Sequence, residues 1–174
     1  GEAADEYSGY SVSLSSDGSV VAIGAYANDG NGSDSGHVRI YQNNSGTWQQ
    51  IGSDIDGEAE GDGSGRFVSL SSDGSVVAIG ARFNDGNGDR SGHVRIYQNN
   101  GGNWQQIGSD IDGEAEGDMS GFSISLSSDG SVVAIGSPFN DGSTGHVRLF
   151  QNDFIAPTVS GVTSSTSDGT YKIG

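Results

Sequence analysis

The chain has 174 residues, 23 Asp+Glu against 7 Lys+Arg, a formal charge of −16 and no cysteine. That charge excludes a nucleic-acid partner, which requires a basic footprint, and the lack of thiols excludes disulfides and thiolate metal sites. No apolar run approaches the roughly 20 residues that cross a bilayer as a helix, so no membrane insertion is expected, and an opening Gly1 is what a processed or excised product shows.

The twelve residues SLSSDGSVVAIG recur unchanged at 13–24, 69–80 and 125–136, 56 residues apart. Around them, 1–56 and 57–112 agree at 44 of 56 positions, and a third copy runs over 113–153 with its loop at 140–145 three residues shorter. A repeat of this length with short strand-like apolar runs points to propeller blades. Glycine is abundant at 31 residues, and its place between those runs reads as turns.

Each copy reads as four strands, near 10–15, 19–25, 37–43 and 47–52 in the first. Tyr10-Ser11-Val12-Ser13-Leu14 alternates apolar and polar, the mark of a strand with one face inward. Asp17-Gly18 follows, the preferred pair of a two-residue type I′ hairpin. Val20-Val21-Ala22-Ile23-Gly24 is apolar on both faces and predicts burial between sheets. His37-Val38-Arg39-Ile40-Tyr41 alternates again, and Asn43-Asn44-Ser45-Gly46 turns the chain into Trp48-Gln49-Gln50-Ile51. The third copy ends before a counterpart of that fourth strand. The expected fold is therefore all-β, with three propeller-type blades at 1–56, 57–112 and 113–153, the third incomplete, and no significant helix.

Ser8-Gly9-Tyr10-Ser11-Val12, Val21-Ala22-Ile23-Gly24-Ala25-Tyr26 and Gly36-His37-Val38-Arg39-Ile40-Tyr41 resemble the FG-GAP repeats of integrin α-subunit propellers and their bacterial relatives. The third copy, with Gly136-Ser137-Pro138, is similar to the Gly-Ala-Pro end of that repeat. The resemblance covers 1 to about 153 and implies an extracellular or cell-surface adhesion module. It departs from the family at the calcium loop between the first two strands, which here shrinks to Ser15-Ser16-Asp17-Gly18 with one carboxylate. Calcium takes six to eight oxygens, so that site is not carried over. Residues 154–174 read as a linker and the first strand of a bacterial Ig-like module, as in a chain cut from a longer protein.

Successive loops of a four-stranded blade alternate between the two ends of the disc. The end that holds the blade connections and the second-to-third-strand loops carries most of the differences between copies. Tyr10, Arg66 and Phe122 correspond there, as do Tyr26 and Arg82 (with Pro138), and Asp34 and Arg90. Variable loops on a repeated frame are where a scaffold carries recognition, so Tyr10, Tyr26, Arg66, Arg82, Arg90 and Phe122 are the candidate ligand residues, for a protein or a carbohydrate. The same end holds Asp54, Asp56 and Glu58, and their copies Asp110, Asp112 and Glu114, within runs of alternate carboxylates that share one side if extended. Asp85-Gly86-Asn87-Gly88-Asp89 has the opening of a calcium loop without its closing Glu. If calcium is a cofactor, these are its ligands.

Enzyme signatures are thin. His37, His93 and His146 recur at one blade position, which suits a structural residue better than a general base, and no Gly-x-Ser-x-Gly elbow occurs. Arg39, Arg95 and Arg148 also recur, as partners for carboxylates or cover for apolar edges. The reading is a non-catalytic recognition module. Its rivals are a repeat that assembles with copies of itself into a ring or filament, and a propeller-borne hydrolase or lyase.

Overall fold

A computed structural model of the chain describes residues 1–151. It contains three antiparallel sheets in tandem, each one blade of β-propeller type. The first holds β1 (Ser11–Leu14), β2 (Val20–Ala25), β3 (His37–Asn44), β4 (Thr47–Gln50) and β5 (Ile55–Asp56). The second repeats it as β6 (Phe67–Leu70), β7 (Val76–Ala81), β8 (His93–Asn100), β9 (Asn103–Gln106) and β10 (Ile111–Asp112). The third has β11 (Ser123–Leu126), β12 (Val132–Ser137) and β13 (His146–Gln151), with the turn α1 (Asn140–Ser143) before the last strand. Inside α1, Asp141 and Gly142 have left-handed backbones, so the segment is a turn and not a helix. The reading of 154–174 as linker and Ig-like strand lies outside the described residues.

The outer strand expected near 47–52 is shorter, and a second short piece continues the edge. β4 pairs the far end of β3, Tyr41 to Asn44, while β5 pairs its start, His37 and Val38. One outer edge is thus built from two pieces, joined by the Ile51 N–H donating to the Ile40 carbonyl at 2.8 Å. The hairpin also departs from type I′. Only Gly18 has positive φ (70°) and Asp17 does not. The loop is longer than two residues because the Asp17 carboxylate draws in the Ser15 hydroxyl at 2.7 Å and the Ser19 amide at 2.9 Å. These bonds hold Asp17 down at a pKa of about 2, led by the Ser19 amide.

Strand pairing assigns each sheet two faces. In the first blade Val12, Leu14, Val21, Ile23, Arg39 and Tyr41 share the leading face, and Ala22, Gly24, Val38 and Ile40 share the trailing one. The trailing face of one blade packs on the leading face of the next. Val20, Ala22, Val38, Ile40 and Ile55 meet Leu70, Val77, Ile79 and Tyr97 in one core. Val76, Ala78, Val94 and Ile96 meet Val133 and Ile135 in a second. β7, covered on both sides, is buried at every residue, as its unbroken apolar run predicts.

Serines and glycines set the blade spacing. Ser13 and Ser69 accept the amides of Leu70 and Leu126, both at 3.0 Å. A Cβ on Gly24 would lie 1.9 Å from the Gly65 carbonyl oxygen, so the two backbones touch where only glycine fits. The two ends of the array stay open. Val12 and Leu14 on the first leading face are 63% and 60% exposed, and Val147 and Leu149 on the last trailing face 63% and 70%.

Candidate functional site

The variable loops converge on one end of the blades, as an alternating stripe of aromatic rings and guanidinium groups. Tyr7 stacks on Tyr26 at 5.3 Å between centroids, and Tyr10 meets Tyr26 edge-on at 4.7 Å. The Arg66 guanidinium lies 4.3 Å from the Tyr26 ring centre and 4.7 Å from that of Tyr10. Arg82 lies 4.4 Å from Phe83 and 4.8 Å from Phe122, and Phe122 continues to Phe139 at 6.0 Å. Arg66 also reaches Phe83 at 6.0 Å, which closes the series across all three blades.

The frame beneath explains the order. Each connection between blades places a residue at the top of an inner strand (Tyr10, Arg66, Phe122), and each second strand ends one residue before a partner (Tyr26, Arg82). Glu6, Asp62 and Asp118 bind Asn28, Asn84 and Asn140 through side-chain hydrogen bonds of 2.8, 3.1 and 3.0 Å, which tie connection to loop in every repeat. The repeated residues hold the spacing, and the variable residues are presented on top.

The electrostatics of this stripe are unusual for so acidic a chain. Arg39, Arg90, Arg95 and Arg148 each have a carboxylate within 4.0 Å. Among the described residues Arg66 and Arg82 have none. The Nε atom of each is buried and makes no hydrogen bond, although Arg66 donates to the Tyr10 hydroxyl at 3.1 Å. Burial, then repulsion from Arg66, pulls the Arg82 pKa below its usual range. Two partly buried cations therefore share one place with unspent donors.

Of the six ligand residues expected from the sequence, the structure puts Tyr10, Tyr26, Arg66, Arg82 and Phe122 into this stripe. Arg90 lies beside it, 5.8 Å from Phe83, with Asp89 as a neighbour. Tyr7, Phe83 and Phe139 were not singled out from the sequence, although position 7 and position 27 also differ between copies.

The acidic residues disperse instead of sharing one side. Residues 54–62 do not run extended, because Asp62 folds back to accept the Ala59 amide at 3.1 Å. Asp54 binds Arg39 through two hydrogen bonds of 2.9 and 2.7 Å. The Asp56 and Asp112 carbonyls accept from Arg95 and Arg148, and Glu114 faces His146 at 3.4 Å. In the other candidate loop, Asp85 accepts the Arg90 amide at 2.8 Å and Asn87 donates to the Gly113 and Glu114 carbonyls, while Asp89 points outward. Glu58 and Asp110 come together with His93, and Asp54 with His37 and Glu2. The sequence alone marks those histidines only as recurring blade residues.

Residues 1–41 match the FG-GAP repeat profile. The match spans β1, β2 and most of β3 of the first blade. The two further FG-GAP-like copies follow at the same 56-residue spacing, on the same strand register. No curated protein matches the chain. Solved structures that the chain matches in part include a protein of Bacteroides uniformis provisionally named a 6-phosphogluconolactonase and the TolB protein of Acinetobacter baumannii. The first has 17% identity over 84% of this chain and 42% of its own, with a TM-score of 0.48. The second has 14% identity over 83% and 30%, also at 0.48. The chain thus spans less than half of either relative, and neither likeness bears on its activity.

Proposed function

We propose that this chain is a non-catalytic, extracellular recognition module whose FG-GAP blades bind an acidic carbohydrate along the aromatic and arginine stripe. The supporting observation is the pair Arg66 and Arg82, half-buried among aromatic rings and, among the described residues, without a carboxylate partner. A guanidinium binds a planar carboxylate through paired hydrogen bonds, so a uronic-acid residue would pair with the terminal nitrogens of these guanidinium groups and neutralise them. The exposed rings of Tyr7, Tyr10 and Phe139 offer flat apolar faces on which neighbouring sugar rings stack. No helix among the described residues is long and apolar enough to cross a membrane.

The test is a binding panel of acidic and neutral polysaccharides against the chain and its Arg82→Met variant. Methionine keeps the stem that covers the rings and removes the charge. Binding to uronic-acid polymers that is lost in the variant supports the reading. Equal binding to neutral glycans, or binding to acidic peptides only, refutes the carbohydrate assignment.

The exposed end faces favour a second reading, in which blades of another copy stack on this one. The open leading face of the first blade carries the same Val and Leu positions that the second blade covers, partly at Val68 and fully at Leu70. Two copies joined head to tail would give six blades, within the four to eight that propellers use. Sedimentation decides it: a dimer at micromolar concentration supports ring closure, and a monodisperse monomer removes it.

A further inference from the structure

The blade interface holds a side-chain cluster that the recognition stripe does not use. Glu58 lies on the connection after β5, His93 opens β8, and Asp110 directly precedes β10. His93 Nδ1 is 3.8 Å from Glu58 Oε2 and 3.8 Å from Asp110 Oδ2, and the three atoms lie within 4.8 Å of one another. These separations exceed hydrogen-bond length, yet the His93 side chain is only 2% exposed. A buried ring nitrogen faces two carboxylate oxygens across a gap.

We propose that Glu58, His93 and Asp110 bind a divalent transition-metal ion of the zinc class, which clamps the connection from the first blade onto the second. Metal–ligand bonds of about 2.1 Å in a tetrahedral shell set ligand atoms about 3.4 Å apart. The two 3.8 Å separations close by a few tenths of an ångström, and the carboxylate oxygens, within 4.8 Å of each other, close by movement of the half-exposed Glu58. The outer partners orient the two oxygens. Arg95 lies 3.4 Å from Glu58 Oε1, and Gln106 donates to Asp110 Oδ1 at 2.6 Å, so the other oxygen of each carboxylate is left toward the histidine. Such second contacts commonly fix metal ligands.

Charge and protonation agree with this assignment. Glu58, Asp110 and Asp62 surround the ring, against the one cation Arg95. Burial, then Arg95, keeps the His93 pKa below its ordinary value, so the imidazole is neutral and free to ligate near pH 7. An imidazole ligand suits zinc and disfavours calcium, which takes oxygen alone. The same trio recurs as Glu2, His37 and Asp54, but there the Arg39 guanidinium bridges both carboxylates and fills the gap. Of these two trios among the described residues, the second lacks such a bridge.

The experiment titrates chelator-treated chain with zinc and follows the histidine ring signals by NMR beside calorimetry. The expected result is one ion per chain, with His93 signals shifting to saturation and those of His37 unchanged. Calcium at the same concentration leaves His93 in place. Asp110→Asn weakens binding at least tenfold. Glu58→Gln, at a more exposed position, does the same and serves if the first variant fails to fold. Unmoved His93 signals at saturating zinc, or a shift at His37 instead, overturn the assignment, as do variants that bind like the parent chain.

Discussion

Gly24, Gly80 and Gly136 occupy one position in three blades, and alanine at each should have different consequences. At Gly24 the new methyl carbon would sit 1.9 Å from the Gly65 carbonyl oxygen and at Gly80 2.6 Å from that of Gly121. Both obstacles are backbone of the next blade, so the blades must separate. At Gly136 the nearest atom is the Ser123 hydroxyl at 2.3 Å, which a side-chain rotation clears. Overpacking of this kind costs about 1–3 kcal/mol, against which Ala regains about 0.5–1 kcal/mol of strand preference over Gly. Gly24→Ala should therefore lose about 1–2 kcal/mol net, which lowers the melting temperature of a domain this size by about 2–8 °C. Gly136→Ala should stay within about 0.5 kcal/mol of the parent. Paired thermal melts followed by circular dichroism decide it. Equal losses at Gly24 and Gly136, or none at Gly24, would refute the face-to-backbone docking of the blades.

Ile79→Ala, in the doubly covered strand, is expected to cost about 2–5 kcal/mol by denaturant unfolding, whereas Ile23→Ala on the open leading face should cost less than half as much. His37 and His93 have depressed pKa values, led by burial. The folded chain then holds fewer protons than the unfolded one below about pH 6.5, so stability should fall as pH drops through that value. His93→Gln should flatten that slope in metal-free protein. Asp17 and Asp129 are held at about 2 by their turn hydrogen bonds. Their contribution is complete above about pH 4 and is lost as pH falls toward 2, which carboxylate NMR titration of the two side chains checks directly.

The blades were legible because period-2 alternation and an exact repeat constrain strands strongly. The first three strands of the first copy begin and end within three residues of where Tyr10–Leu14, Val20–Gly24 and His37–Tyr41 place them. The hairpin type was not legible, because Asp17 uses its side chain to build a longer turn than its Asp-Gly signal implies. Most of the stripe could be read from the differences between copies, since side chains above an invariant frame are free to vary. Phe83 and Phe139 escaped because apolar residues beside a strand end read as packing. The Glu58, His93 and Asp110 grouping escaped for a different reason. Its members are 17 to 52 residues apart in the chain; the pairing of β8 with β10 brings Asp110 to His93, and the packing of the first blade's connection against the second adds Glu58.

The proposed recognition function is tested most directly at the two guanidinium groups themselves. Arginine Nε–Hε signals of the folded chain can be followed while an oligogalacturonate is added. The account predicts saturable shifts of the Arg66 and Arg82 signals, with those of Arg39 and Arg95 unchanged, and no response to a neutral oligosaccharide of the same length. Saturation of binding without movement at Arg66 or Arg82, or no binding at all, would contradict it.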